Sequence, residues 1–247
     1  MEQLAIWNVP HQNTDTPVLR TSSVGNVVPF PERTKNERYV IRKKRTVYPI
    51  KNDAEIIAMS RWLLENRHPK YLLAFTLGIN VGLRANELLE LKVSQVMRPD
   101  GTIRVETDAT DGTDVCTVYQ SKTKKEREIY LNEACAYALR KYLRTTQLPN
   151  QYLFWSREGG HLEVGTLRDT LKEAAKACGI RQNIGTHTLR KTFGYRHYTK
   201  YHDVDLLQRI FGHSSPVITM RYIGLDQEVI KKSYHGISLN VYEELGL

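Results

Sequence analysis

Two arginines, two histidines and a tyrosine stand in an order that suits metal-free attack on a phosphodiester: Arg84, then His187 and Arg190, then His213, then Tyr222. A phosphodiester resists attack because its oxygens repel the nucleophile and its leaving alkoxide is poor. Fixed cations on the non-bridging oxygens and a proton for the leaving oxygen remove both obstacles. Arginine suits the first task, because its planar fork binds phosphate bidentately and keeps its charge. Histidine moves protons near neutral pH. A phenol beside cations can become a covalent nucleophile.

Taken singly, each signal is bland. Arg84 at a helix start reads as a surface arginine. Glu87 reads as a first-turn acid favoured by the helix dipole, with orientation of Arg84 or a histidine as its second role. His187-Thr188-Leu189-Arg190 is a pattern short enough to occur by chance, although a helix N-terminus there would also favour an anion. His213, after Gly212 and an apolar segment, reads as a helix-end histidine. Tyr222 is one tyrosine among 14, with Tyr195, Tyr198, Tyr201 and Tyr234 as rivals. A phenol with a pKa of about 10 stays protonated at neutral pH without help.

Jointly the residues carry more. Val81-Gly82-Leu83-Arg84-Ala85-Asn86-Glu87-Leu88 resembles the first arginine box of the tyrosine recombinases, the phage integrase family. His187 to Phe193 resembles its second box. Phe211-Gly212-His213-Ser214-Ser215 and Thr219-Met220-Arg221-Tyr222 resemble the stretch that ends in the nucleophile. The likeness covers about residues 50 to 235. It implies a site-specific recombinase that cuts and rejoins DNA through a 3′-phosphotyrosyl link, with Arg84, His187, Arg190, His213 and Tyr222 catalytic. It also implies a general-acid lysine on a β-hairpin. Lys122 takes that role by resemblance, with Lys124 and Lys125 as alternatives that would otherwise contact phosphate.

The elements that must hold these residues are legible in outline. Asn52 or Asp53 can cap a helix through Ile56, Ile57, Trp62, Leu63 and Leu64. A very apolar helix is predicted over 71–79, and a short one carries Glu87 to Leu91. The period then changes to alternation over 102–107, 115–120 and 128–131, which predicts three antiparallel strands between Asp-Gly turns. Helices are predicted again over about 133–145, 164–178, 188–201, 203–211 and 226–235. The fold class is thus mainly α with a small three-stranded antiparallel β-sheet (α+β), like a tyrosine recombinase catalytic domain.

Residues 1–49 read as a flexible N-terminal extension, rich in Asn, Thr, Ser, Val and Pro and ending in a basic arm. Residues 50–247 read as the breaking-rejoining domain with a C-terminal tail helix. Arg42, Lys43, Lys44 and Arg45 suit a DNA backbone, or equally a solvated charge run. Lys124, Lys125, Arg127 and Lys191 are further expected DNA contacts. The resemblance implies a helical core-binding domain before the catalytic one, and residues 1–49 do not read as such a bundle, which turns the expectation toward inversion or a reaction assisted by helper DNA-binding proteins.

The formal net charge of +9 over 247 residues favours a polyanionic partner. No apolar run approaches a membrane span, and no secretory signal is visible. The cysteines Cys116, Cys135 and Cys178 are odd in number and far apart, which suits reduced thiols. No acid or histidine cluster has metal-ligand spacing, so neither metal nor other cofactor is expected. The expected partner is double-stranded DNA with specific recombination sites. The resemblance implies a homotetramer on DNA, from a monomer or dimer when free, working in the cytoplasm on the nucleoid. Integration, excision, inversion and resolution all remain open as outcomes. A DNA-binding regulator with this fold but no strand exchange, and a type IB topoisomerase, are the competing readings.

Overall fold

The computed structural model describes residues 46–105, 115–120, 125–236 and 241–246, with the backbone alone at 120, 125 and 226–230. The expected basic arm at Arg42, Lys43, Lys44 and Arg45, and the hairpin lysines Lys122 and Lys124, lie outside the described residues.

The chain enters along 46–50, which is already tied down. The Tyr48 N–H donates to the Asn183 carbonyl, and the Ile50 N–H donates to Thr192 Oγ1 at 2.9 Å. Ile50 is fully buried, so packing extends a few residues beyond the predicted boundary at 50. Helix α1 (Asp53–Asn66) starts where the Asn52 side chain accepts the Ala54 N–H. Helix α2 (Pro69–Val81) has Pro69 in its first turn, where a missing N–H costs nothing. Its residues Leu73, Ala74, Phe75 and Leu77 bury several sides of the helix, so it runs through the centre. It stops at Gly82, whose φ of 67° is left-handed. The short helices α3 (Ala85–Leu89) and α4 (Val93–Val96) come next.

Strands β1 (Cys116–Gln120) and β2 (Lys125–Ile129) pair antiparallel, with Val118 opposite Arg127. The described residues hold this two-stranded sheet rather than the predicted three strands. Over the described part of 102–107 the chain makes only an isolated bridge between Met97 and Ile103. There it bonds back to its own turn, Arg104 N–H to the Val96 carbonyl, instead of to β1. The predicted strand over 128–131 begins earlier, at Lys125.

Helix α5 (Glu133–Thr145) is capped by Asn132, and α6 (Val164–Ala177) precedes α7 (Thr186–Tyr201). Then come α8 (Val204–Phe211), α9 (Pro216–Ile223), α10 (Asp226–Gly236) and α11 (Val241–Glu244). Helix α9, which carries Tyr222, has no counterpart in the predicted elements. Its start signal was present, since Ser215 accepts the Ile218 N–H and Pro216 opens the first turn. Eight residues of modest apolar period are too few to stand out beside that signal.

Glycines let the helices close on one another. A Cβ on Gly78 in α2 would sit 2.6 Å from Leu189 Cδ1 in α7. A Cβ on Gly194 in α7 would sit 2.6 Å from Ile223 Cγ2 in α9. The apolar interior forms a large cluster that reaches Leu189 and a small one around Leu207, Phe211, Ile223 and Leu225. Leu189 belongs to the first, while its neighbour Arg190 stacks on Phe211 of the second, so the candidate site lies at their seam.

Candidate active site

Arg84 sits at the N-cap of α3, directly after the α2–α3 turn. Its Nη1 donates to Glu87 Oε1 at 2.7 Å, and its backbone N–H donates to Glu87 Oε2 at 3.0 Å. Glu87 is 4% exposed, so one buried carboxylate fixes both the helix start and the guanidinium. Of the two orienting roles open to it, the structure gives it Arg84.

Arg190 projects from α7 and is 2% exposed. Its Nη1 donates to the Gly82 carbonyl at 2.6 Å, and its Nη2 donates to the Phe211 carbonyl at 2.8 Å. Its guanidinium carbon lies 4.2 Å from the Phe211 ring centroid. A cation so deep pays a desolvation cost. Burial pushes the Arg190 pKa down to about 10, with Arg84 and Arg127 adding like-charge repulsion while Tyr222 and Glu87 oppose it.

Tyr222 is half-buried near the end of α9, and His187 stands in the first turn of α7. His187 Nδ1 lies 3.2 Å from the Tyr222 hydroxyl. His213 comes directly after the left-handed Gly212, its ring 5.2 Å from the Tyr222 ring and edge-on to it. Its Nδ1 lies 3.0 Å from Thr219 Oγ1, which ties the turn after α8 to α9. Burial holds His187 below the ordinary histidine range, and the charges of Arg190, Lys191 and Arg84 push the same way. His213 is lowered by burial, then by Arg190 and Arg84. Both rings are therefore neutral at pH 7, and in the tautomer with Nδ1 unprotonated the phenol donates to His187. Burial raises the Tyr222 pKa, while Arg190 and Arg84 pull against it. The phenol thus keeps its proton until something arrives to take it.

Two residues expected from the sequence as DNA contacts stand beside the cluster and are partly or wholly buried. Lys191 is 8% exposed, with Nζ 5.1 Å from the Tyr222 ring centroid. Arg127 is half-buried and donates from Nη1 to the Ile210 carbonyl at 2.6 Å. In strand β2 it shares the face of buried Ile129, whereas Glu126 and Glu128 point outward. Alternation along 125–129 was the one sequence signal for this, and the charged run around it hid the pattern. The Lys125 side chain is not described.

Arg84, Arg190 and Lys191 thus gather with the two histidines and the phenol, while Arg127 is turned to the Ile210 carbonyl behind them and Glu87 faces the arginines. Such a surplus of positive charge, buried at Arg190 and Lys191, fits an anion. The arrangement can hold a phosphate, take a proton from the phenol and stabilise the charge that develops.

A family model described as the phage integrase family matches residues 55–228. The probable integrase/recombinase YoeC of Bacillus subtilis is 39% identical over 189 residues, which are 76% of this chain and 95% of that protein. The tyrosine recombinase XerC of Thermodesulfovibrio yellowstonii is 27% identical over 162 residues, 62% of this chain and 49% of that protein. This chain thus spans nearly all of the first relative and about half of the second. Among solved structures, the XerA recombinase superposes with a TM-score of 0.58 at 22% identity, over 77% of this chain and 66% of that one. The XerH site-specific recombinase bound to palindromic difH substrate, in its post-cleavage complex, gives 0.58 at 20% identity, over 76% and 53%. These two likenesses show the fold.

Proposed function

The chain belongs to the phage integrase family, and from that premise we propose that it is a site-specific DNA recombinase working through a covalent phosphotyrosine. The observation that carries this reading is the His187–Tyr222 contact at 3.2 Å, set among Arg84, Arg190 and Lys191. Arg84 and Arg190 hold the scissile phosphate. His187 takes the phenolic proton as the Tyr222 Oη–P bond forms and the bond from phosphorus to the 5′ oxygen breaks. Lys122, by resemblance, gives the leaving 5′ oxygen its proton. His213 braces the tyrosine and bonds a non-bridging oxygen. A 5′-hydroxyl from a partner duplex then attacks the phosphotyrosyl link, releases Tyr222 and restores the backbone. Phosphodiester energy is conserved across the two transfers.

The partner is double-stranded DNA carrying a recombination site, and residues 50–247 form the breaking-rejoining domain. We assign the working assembly as a homotetramer on DNA. In support, α11 leaves Tyr242 exposed, with Leu245 just beyond it, apolar surface that suits a neighbouring protomer. The place of work is DNA in the cytoplasm.

The test uses a randomised pool of nicked duplexes incubated with the full chain and separated on a denaturing gel. The expected result is a covalent protein–DNA band that carries selected sequences and is absent in Tyr222→Phe. No band from any duplex, with retained binding, supports a regulator instead. Site-independent relaxation of supercoiled DNA supports a topoisomerase.

A further inference from the structure

Helix α8 ends in a way that leaves two carbonyls without a backbone partner among the described residues. At its C-terminus the Gly212 N–H donates to the Arg209 carbonyl and the His213 N–H donates to the Gln208 carbonyl. This pair of bonds is the Schellman closure of a helix ending in a left-handed glycine. The remaining carbonyls of that turn belong to Ile210 and Phe211. Each accepts a guanidinium: Arg127 donates to Ile210, and Arg190 donates to Phe211.

The two cations come from distant parts of the chain. Arg190 rides on α7, and Arg127 rides on β2, behind the hairpin turn. They are close enough to repel each other, yet both are held against the negative end of the α8 dipole. The reactive groups stand directly beyond that end. Gly212 and His213 form the turn, Thr219 accepts or donates at His213 Nδ1, and Tyr222 lies on the next helix, α9.

Resting on the recombinase reading, we propose that Arg127 is a positioning residue of the cleavage site. It locks strand β2 to the last turn of α8, and through that turn it sets where His213 and Tyr222 stand. Arg190 performs the same capping while also facing the phosphate, whereas Arg127 is turned to the Ile210 carbonyl and serves as the half of the clamp that acts through other residues. Its Nε is buried and lacks a hydrogen-bond partner among the described residues, where the Ile210 contact is the bond that orients it. A displacement of about 1 Å in a reacting group can cost about 10²-fold in rate.

The experiment measures single-turnover covalent adduct formation by the full chain on a nicked duplex recovered by covalent capture with the wild type. Arg127→Met removes the cap and keeps side-chain length. The expected result is adduct formation slowed about 10²-fold, with affinity for the same duplex changed by less than about threefold, since binding rests on many phosphate contacts. Added methylguanidinium restores at least about tenfold of the loss in Arg127→Met and nothing in the wild type, which a merely structural role would not permit. A duplex with a 5′-bridging sulfur at the cleaved position needs no proton on its leaving group. The Arg127→Met defect persists on it, because the fault lies with the nucleophile.

Wild-type rates in Arg127→Met overturn the proposal. Full recovery on the sulfur duplex also overturns it, by placing Arg127 with leaving-group protonation. If Arg127→Met does not fold, Arg127→Lys replaces it, with a loss of about tenfold expected and an unchanged rate overturning the proposal. An active wild type beside indifferent variants removes this inference and leaves the recombinase reading intact. A wild type that forms no adduct on any duplex removes both.

Discussion

The Tyr222 hydroxyl and the His187 Nδ1 that faces it at 3.2 Å belong to one chain. The proposed nucleophile, its proposed proton acceptor and both arginines thus stand within a single protomer, so cleavage is expected in cis. A mixture of Tyr222→Phe and Arg190→Ala chains, each inactive alone, is expected to give no adduct on a nicked duplex. Exchange of the tyrosine between protomers would instead restore the covalent band to about a quarter to a half of the wild-type amount, a scale set by random pairing of the two variants and by assemblies of the order seen in closed oligomers.

The depressed His187 predicts an acid limb. Burial comes first among its causes, then Arg190, Lys191 and Arg84, all favouring the neutral ring. Only the neutral ring can accept the phenolic proton. At subsaturating protein, adduct formation should fall as pH drops through this lowered value and be flat above about pH 6.5, the ordinary histidine value. His187→Gln should be slower by about 10²-fold or more and should lose that limb. Stability has the same sign. As pH falls, the unfolded histidine binds its proton before the folded one, so folding weakens below about pH 6.5. His68, His197 and His213 are lowered too, burial leading in each. The melting temperature in phosphate-free buffer should therefore be lower at pH 5.5 than at pH 7.5, and an equal or higher value would contradict the burial argument.

Much of this was legible because the informative residues sit beside punctuation. Gly82 before Arg84 and Gly212 before His213 are left-handed helix ends, and a glycine after an apolar run announces them. The apolar periods of α1, α2, α5 and α6 were likewise plain, since each buries residues against the large cluster. Tertiary placement of charge was not legible. Arg127 and Lys191 lie in strongly basic stretches, and nothing local distinguishes a cation that caps a distant helix from one facing solvent. The partner of Arg127 is 83 residues away, at Ile210. Alternation over 102–107 likewise fits a strand, but in its described part, 102–105, the Thr102 carbonyl accepts from Arg98 and the Arg104 N–H donates to Val96.

The surplus of positive charge predicts that a small oxyanion stabilises the fold. Arg84 and Arg190 have Glu87 as their nearby carboxylate, and Lys191 adds its charge beside His187. Inorganic phosphate should raise the melting temperature above that in sodium chloride of equal ionic strength. At a hundred times its dissociation constant the gain should be about 2.7 kcal/mol. In Arg190→Ala the phosphate-specific part should vanish. Equal shifts in phosphate and chloride would mean that the cluster is no anion cradle.

A close helix approach at Gly194 gives the last prediction, and its sign is unusual. Glycine to alanine inside a helix normally gains roughly 0.5–1 kcal/mol. Gly165 in α6 should behave so, because a Cβ there meets only Arg168 Nη2 at 3.9 Å. Gly194 in α7 should not, since its Cβ would lie 2.6 Å from Ile223 Cγ2 and 2.8 Å from Phe211 Cζ. Ile223 is the neighbour of Tyr222, so relief of that clash moves α9 and with it the phenol. Gly194→Ala should lose about 1–3 kcal/mol, as overpacked cores do. It should also slow adduct formation by about 10- to 100-fold as Tyr222 drifts from His187, with DNA affinity held. Urea unfolding of the two variants beside adduct kinetics settles it. A Gly194→Ala chain as stable and as fast as Gly165→Ala would show that α7 and α9 do not approach this closely.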